Sequence, residues 1–286
     1  MQNRLARALA VLALLTSAPV LALSGQGAGP GASAVPAAPV LPAAPAAART
    51  PPPASEHKVL LLGDSLIATG FGDYLQARLD AHPRIRALRK AKSSTGLARP
   101  DFFDWMEVGR QEVQRHQPDV VVVILGGNDG QSLQDGKGGK PIHWGKPDWE
   151  KAYRQRLVEF VEVLAAPGRR IVWLELPTTG RKRFEQKLGL IRGLQRDVVS
   201  ARADALHVDT HPFFTDARGH ALRTARVDGF RKPMKLRMED GVHFTVAGGR
   251  YFAGKVYPEV LGVLGLAEES AKSAARESKS VPGAQP

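Results

Sequence analysis

Lys58-Val-Leu-Leu-Leu62 runs straight into Gly63-Asp64-Ser65-Leu66. An apolar run this short, closed by turn residues, reads as a buried β-strand rather than a helix. Gly-Asp-Ser then has the chemistry of a turn and a helix N-cap. The same grammar repeats downstream. Ile67 to Ala81 reads as a helix, its pattern carried past Gly70 and Gly72. Arg84–Ala91 reads as a weaker strand interrupted by charge, and Phe102 to His116 as a helix. Asp119–Leu125, with four consecutive valines, is the clearest buried strand. Helix Asp148 to Ala165 starts at Pro147-Asp148. Strand Arg170–Leu176 stops at Pro177, and helix Phe184 to Ala203 leads to a short strand, Ala205–Asp209. An irregular stretch, His211 to Asp240, precedes a last helix, Thr245 to Leu264. Strands alternating with helices predict an α/β fold: a central parallel sheet of about five strands, with helices on both faces.

The ends of the 286-residue chain read differently. Residues 1–23 carry Arg4 and Arg7, then an apolar segment from Ala8 to Leu23, and Val20-Leu21-Ala22 fits a small-residue cleavage site. This pattern predicts a signal peptide and a periplasmic or secreted protein, with an uncleaved N-terminal anchor as the alternative. Residues 24–56 are rich in Pro, Ala and Gly and read as a linker. Residues 57–266 read as the folded domain and 267–286 as a disordered tail.

Forty Lys and Arg against 28 Asp and Glu give a net charge of +12. The cations are spread along the chain, so the surface favours anionic polymers. No nucleic-acid module is visible, and no nucleic-acid partner is expected. The absence of cysteine excludes a thiol nucleophile, a disulfide and thiolate metal ligands.

In a parallel sheet of this kind ligands bind beyond the carboxyl ends of the strands. Four polar segments fall there. Ser65 follows the first strand, Ser94-Thr95-Gly96 the second, and Gly126-Gly127-Asn128-Asp129 the third. Asp240-Gly-Val-His243 precedes the last helix. A serine hydroxyl becomes a useful nucleophile when a base takes its proton, and the base needs an acceptor to fix its tautomer. Ser65, His243 and Asp240 can fill those roles. Asn128, the single Asn after the signal segment, can donate its side-chain amide to an oxyanion, and Gly96 its backbone N–H. Each segment also has a plain reading: Gly63-Asp64-Ser65 as turn and N-cap, Asp240 as a cap, His243 as helix-start packing, Asn128 and Gly96 as turn residues. The G-x-S-x-G elbow is missing, since residues 63–67 are Gly-Asp-Ser-Leu-Ile.

These four blocks, in this order, resemble the SGNH (GDSL-type) hydrolase family, across about residues 58–264. The resemblance implies a three-layer α/β/α sandwich (SGNH/flavodoxin-like) with a parallel five-stranded sheet. It implies a Ser65, Asp240, His243 triad and an oxyanion hole from the Ser65 N–H, the Gly96 N–H and the Asn128 amide. It implies no cofactor, and the residues themselves point to no metal site. Ser93 to Trp105, Gly127 to Gln131 and Asp240 to Thr245 further resemble a bacterial periplasmic subgroup of unknown function. The expected activity is an exported serine esterase acting on a small acyl ester, acetyl first, on an envelope or extracellular carbohydrate. An O-acyltransferase on an envelope glycan and a non-catalytic glycan-binding module are the alternatives. The sequence leaves the oligomeric state open.

Other clusters carry less. Phe102, Phe103 and Trp105 read as core packing, with lining of the site as the alternative. Asp209 and His211 lack a third metal ligand. Lys137, Lys140 and Lys146 read as a solvated loop. Basic residues from Arg223 to Arg237 are expected at a lid or substrate rim.

Overall fold

The computed structural model describes residues 56–179 and 181–267. The signal segment, all of the linker but Glu56 and all of the tail but Ala267 lie outside the described residues. Among the described residues no helix is long and apolar enough to cross a membrane.

Strand β1 is His57–Gly63. It leads into a four-residue helix, α1 (Ser65–Ala68), and then α2 (Gly70–Asp80). Sequence periodicity predicts one helix over Ile67 to Ala81, and the structure breaks it at Thr69, which is extended (φ −118°, ψ −172°). The break folds α2 back onto α1. A Cβ on Gly72 would lie 2.0 Å from the Ile67 carbonyl oxygen, so only glycine allows this approach. Strand β2 (Ile85–Ala91) and α3 (Trp105–His116) follow, with Asp104 capping the Met106 and Glu107 N–H groups. The helix thus starts three residues later than its apolar pattern suggests. The four valines lie in β3 (Val120–Ile124), buried throughout. Then come α4 (Pro147–Leu164), β4 (Arg170–Leu174), α5 (Lys182–Ser200) and β5 (Ala205–Val208). The stretch expected to be irregular contains a 3-10 turn, His211–Phe213, and a short antiparallel pair, β6 (Thr224–Ala225) and β7 (Met234–Lys235). Two-residue strands are too brief to leave an alternation in the sequence. Helix α6 (Val246–Val263) closes the order.

The five main strands form one parallel sheet, ordered β2-β1-β3-β4-β5. Helices α2 and α6 pack together, and α3, α4 and α5 form the other group. The result is the expected three-layer sandwich. One layer is cemented by the stacked rings of Phe71 and Phe252, with Phe214 and Phe244 against them. In the other, Trp149 stacks on Tyr153 and Phe160 meets Trp173 edge-on. The chain leaves β1 towards β2 on one side and returns to β3 on the other. That reversal opens a crevice above the carboxyl ends of β1 and β3, where parallel sheets hold their ligands.

Candidate active site

Ser65 opens α1 at the mouth of this crevice. Asp64, fully buried behind it, caps the helix by accepting the Leu66 N–H at 3.0 Å. Burial pushes the Asp64 carboxyl up to about 7; the Leu66 N–H opposes the rise, and the buried Asp129 carboxylate adds to it.

His243 and Asp240 come from the loop between β7 and α6. Thr245 caps α6 by accepting the Gly248 N–H at 3.0 Å, which fixes where that loop ends. His243 Nε2 lies 2.9 Å from Ser65 Oγ, and His243 Nδ1 lies 2.6 Å from Asp240 Oδ2. With the ring proton on Nδ1, the histidine donates to Asp240 and its Nε2 accepts the Ser65 hydroxyl. The second Asp240 oxygen accepts the N–H groups of Val242 (2.8 Å) and His243 (3.0 Å). The carboxylate therefore grips the backbone that carries the histidine. Burial alone would raise its pKa. The bond to the His243 ring and the two N–H groups outweigh burial and hold it down to about 2.

Sequence reading missed the support beneath this loop. The Arg237 guanidinium lies over the Phe244 ring (4.0 Å to the centroid) and the Phe214 ring (4.8 Å). It donates to the carbonyls of Val242 (2.6 Å) and Thr178 (2.8 Å), tying the histidine loop to the segment after β4. Burial pulls its pKa down to about 9, which leaves it cationic at neutral pH. Sequence reading places it only at the end of a basic stretch expected at a lid or substrate rim, whereas the structure sets it beneath the loop.

On the opposite wall, Asn128 donates one amide hydrogen to the Thr95 carbonyl at 2.9 Å, which orients the side chain and leaves the second hydrogen free. Neither the Gly96 N–H nor the Ser65 N–H reaches an acceptor among the described residues. The Gly96 loop is held from both sides. Asp129, fully buried, accepts the N–H groups of Leu97 (3.0 Å) and Ala98 (2.8 Å) and the Tyr153 hydroxyl (2.8 Å). Arg156 donates to the carbonyls of Leu97 (2.9 Å), Ala98 (3.3 Å) and Gln134. Gly96 has no room for a side chain, because a Cβ would lie 2.0 Å from Asp129 Oδ1. Asp129 stood in plain view beside Asn128, but nothing in its spacing points to a loop 31 residues earlier.

A cavity of about 60 Å³ opens beside Ser65, walled by Leu66, Leu176, Pro177, Phe184 and Leu188. It is small against the roughly 300–1,000 Å³ of pockets that enclose drug-sized ligands. A hydroxyl, an imidazole and a carboxylate in a hydrogen-bonded chain, facing free N–H donors across a small apolar cavity, have the parts for nucleophilic acyl chemistry.

The remaining sequence candidates fall elsewhere. Trp105 is buried and donates its ring N–H to Thr95 Oγ1 at 3.0 Å, so it supports the Gly96 loop from the core. Phe103 packs edge-on against it, and Phe102 faces solvent. Asp209 accepts the His211 backbone N–H, and the His211 ring pairs with the Thr178 hydroxyl. Among the described residues no group of three or more His, Asp or Glu is placed to hold a metal. Lys137, Lys140 and Lys146 are exposed.

Similarity to solved structures extends over most of the chain. The structure titled TesA is 21% identical with a TM-score of 0.45, covering 72% of this chain and 99% of that one. A variant of Axe2, an acetyl xylan esterase from Geobacillus stearothermophilus, is 20% identical with a TM-score of 0.49, covering 74% and 96%. A family two carbohydrate esterase from Cellvibrio japonicus is 14% identical with a TM-score of 0.45, covering 75% and 63%. A search of the curated proteins found no match. The family described as "Protein of unknown function (DUF459)" matches residues 58–259, a span running from β1 into α6, and the chain belongs to that family.

Proposed function

We propose that this chain is a serine esterase of SGNH type that hydrolyses a small acyl ester, acetyl in the first instance. The observation that carries the reading is the continuous chain Ser65 Oγ, His243 Nε2, His243 Nδ1, Asp240 Oδ2, with links of 2.9 and 2.6 Å. Ser65 Oγ attacks the ester carbonyl while its proton passes to His243 Nε2, and Asp240 stabilises the imidazolium. The carbonyl oxygen becomes an oxyanion facing the N–H groups of Ser65 and Gly96 and the free amide hydrogen of Asn128. The intermediate collapses, and the leaving alkoxide takes the proton from Nε2. Water then attacks the acyl-serine, giving a proton to Nε2. The acid departs and Ser65 recovers its proton. The 60 Å³ cavity favours a short acyl group over a long chain.

The expected signal segment and the net charge of +12 support a carbohydrate of the envelope or the extracellular space as the acyl carrier, with the protein periplasmic or secreted. The test is turnover of aryl acetates and acetylated glycans by wild type, Ser65→Ala and His243→Ala, with fluorophosphonate labelling alongside. Both variants are expected to lose about 10⁴-fold or more in kcat, and labelling is expected to vanish in Ser65→Ala. Equal turnover by wild type and Ser65→Ala would sink the nucleophile assignment.

A further inference from the structure

A second cavity, about 590 Å³, adjoins the small one and shares Thr179 and Arg237 with it. Its walls come from three places in the chain: Arg181 at the start of α5, Arg223 beside β6, and Lys235 in β7. The antiparallel pairing brings the last two together, with Leu236 N–H donating to the Arg223 carbonyl. Glu239 is the one carboxylate among the lining side chains.

Several arginines elsewhere in the fold are neutralised by carboxylates. Arg192 pairs with Glu185, Arg196 with Glu175, Arg202 with Asp204 and Arg99 with Asp101. Among the described residues the side chains of Arg181, Arg223 and Lys235 have neither a carboxylate partner nor a hydrogen bond; all three are exposed. Three like charges turned towards one concave space repel each other, and an anion in that space relieves the repulsion. The hairpin that carries two of them runs directly into the loop holding Asp240 and His243.

The two cavities divide an ester naturally. The small apolar one accommodates the acyl half. The alcohol half must lie within reach of His243, which hands it a proton, and the larger basic cavity meets the small one at Thr179 and Arg237. We infer that the alcohol half of the substrate is an acidic saccharide, bearing carboxylate or phosphate groups that Arg181, Arg223 and Lys235 neutralise. This assignment of substrate class rests on the esterase reading, and its test separates the two.

Full-length Ser65→Ala protein, which cannot turn the ligand over, is titrated calorimetrically with three probes: an acetylated oligogalacturonide, an acetylated hexose phosphate and a neutral acetylated xylo-oligosaccharide. At low salt at least one acidic probe is expected to bind about tenfold more tightly than the neutral one, as a few partly screened ion pairs together provide. The gap should close as salt rises, because exposed charges are screened. Adding Arg223→Gln and Lys235→Gln should narrow it as well. Whichever acidic probe binds more tightly identifies the anionic group. Equal affinity for all three probes, or a preference insensitive to salt, overturns the inference. The salt series decides the matter if the double variant does not fold. Failure of wild type to cleave aryl acetates or to label with fluorophosphonate would instead overturn the esterase reading, while a charge preference in binding would still stand.

Discussion

Replacing Gly96 by alanine tests whether the clamped loop is what makes the oxyanion wall. The new Cβ would stand 2.0 Å from Asp129 Oδ1, 2.6 Å from Cγ and 3.0 Å from Oδ2. Ordinary contact begins near 3.4 Å, so the carboxylate or the loop must retreat by about 1.4 Å. Neither can give cheaply. Asp129 is buried and held by Tyr153, and the loop is held by Arg156. A retreat of that size breaks the bonds from Leu97 and Ala98, now 3.0 and 2.8 Å. Hydrogen bonds to a charged group contribute about 1.5–3 kcal/mol each, so the fold should lose about 3–6 kcal/mol. At about 2–4 °C per kcal/mol for a domain of this size, Tm should fall by roughly 6 °C or more. The same movement displaces the Gly96 N–H. Losing one oxyanion donor costs about 2.7–4 kcal/mol of transition-state stabilisation, or roughly 10²–10³ in kcat. Thermal melts and aryl acetate kinetics measure both, with KM expected to change little. An alanine variant with native Tm and native kcat would refute the claim that Asp129 and Gly96 are packed in mutual contact and that this contact shapes the site.

Asp64 makes stability depend on pH. Its folded pKa, about 7, lies above the ordinary 3.8 of an aspartate, so between these pH values the native state keeps a proton that the unfolded chain releases. Its contribution is therefore full below about pH 4, is lost as the pH rises to about 7, and amounts to about 4 kcal/mol across that window. Denaturant titrations at pH 4 to 8 should show a shallower decline for Asp64→Asn than for wild type; parallel curves would contradict this. Asp240→Asn keeps the shape of the side chain but removes the charge that fixes the His243 tautomer, and kcat should fall about 10⁴-fold with little change in Tm. Arg237→Met removes the donors to Val242 and Thr178, and should lower both Tm and kcat. Arg237→Lys should not restore them, because an ammonium cannot span two carbonyls while stacked on two rings. Full recovery by lysine would show that charge alone matters there.

How much of this was legible in the sequence follows from the range of each interaction. The strands were readable because burial on both faces leaves an unbroken apolar run, as in Val120–Ile124, and short runs broken by amphipathic stretches admit few topologies. The four motif blocks were readable because each sits at the end of a strand or ahead of a helix, where the parallel topology gathers it to one edge. The helix break at Thr69 was not, because it depends on Gly72 approaching the Ile67 carbonyl, a contact that periodicity does not encode. Nor were β6 and β7, whose pairing joins partners nine and eleven residues apart and is not set by alternation. The residues that position the site were the least legible. Asp129 acts on Leu97 and Ala98, Arg156 on the same loop from α4, and Arg237 on Thr178 from 59 residues away. Each is a polar side chain answering a backbone group far along the chain, and a backbone group carries no mark in the sequence. A reacting group can be read from its chemistry. The groups that hold it in place are visible only once the chain has folded, and a candidate site of this kind needs more of the second sort than of the first.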